Sequence, residues 1–173
     1  RDKVLEQKSD RRIELGTNAA LYLEDRMTMQ YQIQEMLRIE RIFEAEGIDD
    51  ELEAYNPLIP DGTNWKATFM VEFPDAEERR AMLSRLVDIE NKVYVRVGEY
   101  DKVYAIADED LERADETKTS AVHFMRFEFT PEMRAALRSG AAFTMGVTHD
   151  LYNHQARVEG DTRTALVADF EVH

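Results

Sequence analysis

From Trp65 the chain alternates with a period of two: Trp65, Ala67, Phe69, Val71 and Phe73 are interleaved with Lys66, Thr68, Met70 and Glu72. Successive side chains of an extended chain point to opposite faces, so this pattern specifies a half-buried strand. The device returns in AVHFMRFEF, Ala121 to Phe129. Each run ends at a corner that starts a helix. The first is Pro74-Asp75 with Glu78 three residues on, a capping-box-like pair, and the second is Thr130-Pro131, a cap followed by proline at the first helical position. Further strands follow both helices. Val93, Val95 and Val97 precede a turn at Gly98 to Asp101 and a return through Val103 to Ala107, while Gly140 stops the second helix before Phe143, Met145 and Val147. The segments ATFMVEFPDAEERRAML and VHFMRFEFTPEMRAAL share strand, corner and acidic helix start. A duplicated β-α-β-β unit of about 50 residues is one reading. Reuse of a common strand-to-helix corner in an α+β protein is the other.

The remaining segments read less sharply. Asp2 to Ile13 is polar and helix-compatible, Gly16-Thr17-Asn18 breaks it, and Ala19 to Leu23 reads as a short strand. Met29, Tyr31 and Ile33 alternate with Gln30, Gln32 and Gln34, which fits a strand, but Asp25 as N-cap and unbroken helix formers favour one helix from about Arg26 to Glu46. Asn56 to Gly62, with two prolines and Asp-Gly, reads as an ordered loop, and Asp108 to Lys118 as an acidic, solvated connector. Strand content in Thr164 to Phe170 closes the chain. The expectation is a single α+β domain with a mainly antiparallel sheet and helices packed on it, helical over about 1–62 and sheet-rich over about 63–173.

Composition limits the chemistry. A chain of 173 residues, 43% of them hydrophobic, can bury a real core. A net charge of -14 disfavours nucleic acid and anionic membrane, both of which need clustered Lys and Arg, and no apolar run reaches a bilayer span. With no cysteine, disulfides, thiolate zinc, cysteine-held iron–sulfur clusters and a cysteine nucleophile are all excluded. Any metal must be held by His, Asp or Glu. The chain reads as cytoplasmic; because it opens at Arg1, a removed leader stays open.

The residues that stand out are polar groups on apolar faces. Met29, Ile33, Met36, Leu37, Ile39 and Phe43 share one helical arc, and Glu40 projects near its centre, where a carboxylate needs a hydrogen bond, cation or metal. His123 continues the face of Met125 and Phe127, and His149 that of Met145 and Val147. With His154 these form a candidate His/Glu site for Fe, Mn or Zn; a buried Glu–His or Glu–Arg pair, and a surface turn at His149 to His154, are the structural alternatives. Lys66, Lys118, Arg126 and Arg38 form a second set, able to receive a small anion with help from Thr119, Ser120 and Asn56, or to pair with Glu72 and Glu128. The chain contains no Gly-rich phosphate loop, nucleophile elbow, H-E-x-x-H or dinucleotide fingerprint, and Phe43 rather than His follows Glu40 at i+3, unlike the two-iron bundle motif.

The stretches EDRMTMQYQIQEMLRIERIFEAEG, AYNPLIPDGTNWKATFMVEFPD and DKVYAIADEDLERADETKTSAVHFMRFEFTPEM resemble the bacterial domain-of-unknown-function family numbered 3501, over nearly the whole chain. Similar proteins tend to be encoded near rubrerythrin-like and iron–sulfur oxidoreductase-like proteins, so the resemblance implies a setting of peroxide or iron handling. It supplies no catalytic residues. Motif polar positions of the family fall here on Gln32, Glu35, Arg38, Glu40, Asn56, Trp65, Lys66, Lys118, His123 and Arg126. Glu40, Gln32 and His123 make a candidate polar cluster, and three functional expectations follow: an accessory protein for a redox or iron-handling partner, a metal-binding protein or small enzyme using Glu40, His123 and His149, and a small-anion module at Lys66, Lys118 and Arg126.

Overall fold

The computed structural model describes residues 11–39, 41, 44, 45, 47–49, 52, 61–107 and 119–171. The alternating run becomes β3 (Asn64–Val71), whose core-facing side chains include Trp65, Ala67, Phe69 and Val71. One of its neighbours is β2 (Ala19–Glu24), which pairs in turn with β1 (Arg12–Glu14), and the other is β7 (Val122–Glu128), which pairs with β6 (Ile106–Ala107). A second sheet runs in the order β5 (Val103–Tyr104), β4 (Val93–Val97), β8 (Phe143–His149) and β9 (Tyr152–Val158). Every described pairing is antiparallel. The expected antiparallel sheet is therefore two sheets around one core.

The sheets meet along both sides. The chain passes from one to the other at Ala105, whose N–H donates to Val93 O at 2.9 Å. On the far side the Tyr152 hydroxyl of β9 donates to Leu15 O and accepts from Asn18 N–H at 3.0 Å, fastening the β1–β2 turn. Leu21, Phe69 and Phe127 from one sheet and Val95, Met145 and Val147 from the other belong to one buried cluster. Trp65 lies among Phe129, Phe143 and Phe170, with ring centroids at 4.8, 5.1 and 5.0 Å, and its indole N–H donates to Leu166 O at 2.9 Å. A buried indole with its one donor satisfied combines large apolar burial with no polar penalty.

Local chemistry explains most of the helices. Helix α1 (Arg26–Ile39) begins where the Asp25 carboxylate accepts from Thr28 N–H at 2.8 Å, and the Thr28 hydroxyl accepts from Asp25 N–H at 2.9 Å. That cap decides between the strand and helix readings of Thr28 to Gln34. Helix α2 (Ala76–Arg85) is capped by Asp75 on Glu78 N–H, and α3 (Pro131–Arg138) by Thr130 on Met133 N–H. The order strand, helix, strand, strand thus recurs in β3-α2-β4-β5 and β7-α3-β8-β9, and β3 pairs with β7 while β4 pairs with β8. This recurrence belongs to the topology; it does not establish a duplicated sequence.

Several expectations need correction. Thr164 to Phe170 is not a strand but part of α4 (Gly160–Ala168) and a 3-10 turn, Asp169–Glu171. Leu166 and Phe170, the pair it buries most deeply, stand four apart, which is helical spacing inside an apolar run too short to show its period. The end of Asp2 to Ile13 forms β1, not helix, because Arg12 to Glu14 pairs with Tyr22 to Ala20. In α1, Met29 and Ile33 are buried but Ile39 is 65% exposed, so the apolar arc is not buried along its whole length. β9 escapes the sequence pattern because YNHQARV buries only its end residues. No helix of the described residues is long and apolar enough to cross a membrane.

Candidate functional site

The face of β2, β3 and β7 turned away from the core carries Tyr22 and Glu24, Thr68 and Met70, and Val122 and Phe124. Helix α1 lies against this face, and between them is a cleft of about 450 Å³. Its polar lining is Arg11, Tyr22, Glu24, Thr28, Gln32 and Thr68; its apolar lining is Leu23, Met70, Val122 and Phe124.

Glu24 organises the polar end. It is the last residue of β2, only 8% exposed, and lies four residues before Thr28 across the strand-to-helix corner. One carboxylate oxygen accepts from the Thr28 hydroxyl at 2.6 Å and the other from the Thr68 hydroxyl at 3.2 Å. The short corner makes this possible, since the Asp25 cap turns the chain back over its own strand. Tyr22, two residues earlier on the same face, donates its hydroxyl to Glu72 at 3.3 Å, and the Arg12 guanidinium sits 5.5 Å from its ring. Burial, then the Glu72 charge, raises the Tyr22 pKa above its usual value, with Arg12 opposing.

Arg11 closes the end of the cleft beside Leu23. It is 2% exposed and donates to Leu23 O at 2.6 Å and to Glu24 O at 3.3 Å. Both terminal nitrogens reach the Asp169 carboxylate, one of them at 3.3 Å, and Asp25 lies 3.7 Å away. Burial holds the Asp169 pKa above the ordinary carboxylate value, against the lowering influence of Arg11. The guanidinium thereby ties β1 and the β2–α1 corner to the turn after α4.

The residues singled out in sequence take different places. Gln32 lines the cleft. His123 is wholly buried on the opposite, core-facing side of β7. Its Nε2 is 2.9 Å from both Ser120 O and Thr119 Oγ1, and 3.9 Å from Glu90, to which the Thr119 hydroxyl donates at 3.1 Å. A carbonyl can only accept, so Nε2 carries a proton there. Glu90, which sequence reasoning does not single out, thus shares this buried cluster with His123, the Thr119 hydroxyl contacting both. His149 uses both ring nitrogens: Nε2–H donates to Val87 O at 3.0 Å and Nδ1 accepts from Leu151 N–H at 3.0 Å. His154 packs against Tyr152 beside Gly16. The three histidines are therefore not brought to one point, and among the described residues no group of three or more His, Asp or Glu could hold a metal ion. Lys66 and Arg126 face each other across β3 and β7, as their alternation requires, and Arg126 pairs with Glu128 at 2.6 Å. Glu40, Asn56 and Lys118 lie outside the described residues.

Arg11, Glu24, Thr28, Thr68 and Asp169 are missed in sequence. The one available signal is Glu24-Asp25-x-x-Thr28, where the Asp–Thr cap is legible and the preceding carboxylate rides on it.

No curated protein matches the chain. A crystal structure of a novel protein of unknown function from Burkholderia pseudomallei K96243 is similar to it, with 47% sequence identity and a TM-score of 0.91, covering 97% of this chain and 88% of that one. The family model described as protein of unknown function (DUF3501) matches residues 1–170. The match spans nearly the whole sequence and agrees with the long motifs read from the chain itself, so the protein belongs to the DUF3501 family.

Proposed function

We propose that this chain is a binding protein for a small organic molecule held between α1 and the outer face of β2, β3 and β7. The observation that carries this reading is a buried carboxylate, Glu24, set by two threonine hydroxyls at one end of a cleft of about 450 Å³ whose other wall is apolar. Ligand sites are typically about 300–1,000 Å³, mostly apolar, with a few fixed polar groups that set orientation. Here the hydroxyls are positioned by the α1 cap and by the β2–β3 register, so the polar end is preorganised by the backbone. An accessory role for a redox, peroxide or iron-handling system belongs to the same proposal as its setting, supported by the family resemblance alone.

The test is a small-fragment screen by amide-shift mapping on labelled protein, repeated on Val122→Trp, which places a large ring in the cleft. Fragments that move Thr28, Thr68 and Phe124 in the parent and lose that effect in the variant support the reading. A screen in which every hit maps elsewhere, or in which Val122→Trp binds as before, overturns it.

A further inference from the structure

Strand register sets two aromatic side chains a fixed distance apart on the cleft floor. Tyr22 of β2, Thr68 of β3 and Phe124 of β7 are register partners in one cross-strand row, and all three line the cleft. Neighbouring strands lie about 4.8 Å apart, so the two aromatic residues stand about 10 Å apart with only a threonine between them. On adjacent strands their rings would meet each other; here no aromatic ring among the described residues lies against Tyr22. A planar ring inserted over Thr68 would lie about 5 Å from each wall, inside the range of about 4.5–7 Å at which aromatic pairs are favourable.

The Tyr22 ring has a face to offer. The Arg12 guanidinium stands over it at 5.5 Å, and Arg12, its register partner on β1, is outside the cleft lining, so the face turned to the cleft is the other one. Phe124 has further contacts of its own, and the slot uses only the surface it turns to the cleft. In the next row Met70 and Val122 extend the floor with no aromatic group. From α1 comes Gln32, whose side-chain amide makes no hydrogen bond to another described residue and can both donate and accept.

From this we infer that the cleft takes a flat aromatic ring, slotted over Thr68 between Tyr22 and Phe124, with a polar substituent or ring heteroatom offered to Gln32. This deepens the binding reading above and rests on it. A planar ring presents two π faces to two aromatic walls. A saturated ring on the same skeleton is puckered and carries hydrogens on both faces, so it needs a wider gap, and it lacks the quadrupole that favours aromatic pairs beyond the area they bury.

The experiment uses 2-naphthol and decahydro-2-naphthol, two uncharged alcohols on one fused-ring skeleton. Each is titrated separately into the full chain at neutral pH and followed by the amide shifts of Thr28, Thr68 and Val122 and by the probe's own proton shifts. Naphthol should bind about tenfold more tightly or better, the scale of two aromatic pairs, and its ring protons should move upfield under the ring currents of both walls. Tyr22→Leu and Phe124→Leu each exchange one ring for an apolar side chain; each should weaken naphthol by about threefold to tenfold and change the saturated alcohol by no more than about twofold. Urea midpoints check that both variants fold, and the comparison of the two probes on the parent decides the matter where a variant does not. Equal affinity for the two probes, or a naphthol affinity undiminished in both variants, overturns the slot and leaves the cleft standing. If neither probe moves the cleft residues, or both bind Val122→Trp as they bind the parent, the cleft itself fails and the binding reading with it.

Discussion

Replacing Arg11 by Met tests whether the cleft's end wall is an ionic lock. The substitution keeps much of the aliphatic volume but removes the donors to Leu23 O, Glu24 O and Asp169. Breaking a buried ion pair from one side costs about 3–5 kcal/mol, because the partner charge is left desolvated. With a urea slope near 2 kcal/mol per molar, the midpoint should fall by about 2 M. Trp65 is the sole tryptophan and stacks on Phe170, next to Asp169, so its fluorescence reports unfolding where the change acts. The pH dependence has a definite sign. The Asp169 pKa already lies above its unfolded value of 3.8 through burial, and Arg11 is what opposes the rise. Without Arg11 the carboxyl rises further. A group whose folded pKa is raised contributes stability that is full below the unfolded pKa and lost as pH rises through the folded one. The deficit of Arg11→Met should therefore be greatest near pH 7 and shrink toward about pH 4, where Asp169 is neutral. A neutral-pH deficit below about 1 kcal/mol, or one that widens on acidification, would refute the lock.

Two other outcomes follow from the same structure. Gly16 has φ +76, and a Cβ there would stand 2.6 Å from the Tyr152 hydroxyl and 2.9 Å from the His154 ring; Gly16→Ala should cost about 2–4 kcal/mol by denaturation, through left-handed strain and the displaced Tyr152 contacts. Tyr152→Phe should be about 1 kcal/mol less damaging in that background than in the parent, since part of the clash is with the hydroxyl; strictly additive costs would count against this. Burial raises the pKa of Tyr22, Tyr94 and Tyr152 above 10.0, so their contribution to stability is complete below that value and disappears as pH climbs through the raised ones. Circular dichroism against pH, read beside phenolate absorbance, should show alkaline unfolding that moves to higher pH in Tyr152→Phe; an unmoved transition would exclude Tyr152 as its trigger.

The parts of this fold visible in the letters are those where one face is apolar and the other is not. β3 and β7 announce themselves because Trp65, Phe69, Met125 and Phe127 all enter the core while Lys66, Thr68, Phe124 and Arg126 stay outside it. The caps at Asp25, Asp75 and Thr130 are equally legible, since a short polar side chain ahead of a helix has one obvious use. β9 has no such signature. As the edge strand beside β8 it buries Tyr152 and Val158 and little between them, so its residues record backbone pairing, which every sequence can supply. His149 misleads for a related reason: its strand face is apolar as expected, but it is the final residue of β8, and its ring turns to the Val87 carbonyl.

The cleft illustrates a different limit. A sheet residue pointing away from the core is ordinarily solvated, and Thr68 opposite Tyr22 carries no sign that it will be covered. What changes its meaning is α1, which brings Thr28 and Gln32 over the polar strand face. Once a helix covers polar groups, each must find a partner or cost about 1–3 kcal/mol, and the Glu24–Thr28–Thr68 contacts are how that demand is met at one end. Where α1 and the sheet do not meet, the cleft remains. The chemistry of the site therefore depends on where the Asp25 corner aims the helix, a tertiary fact. This is why Gln32, already on a recognisable helix, is the cleft residue the sequence marks, while Glu24, at the corner itself, goes unmarked.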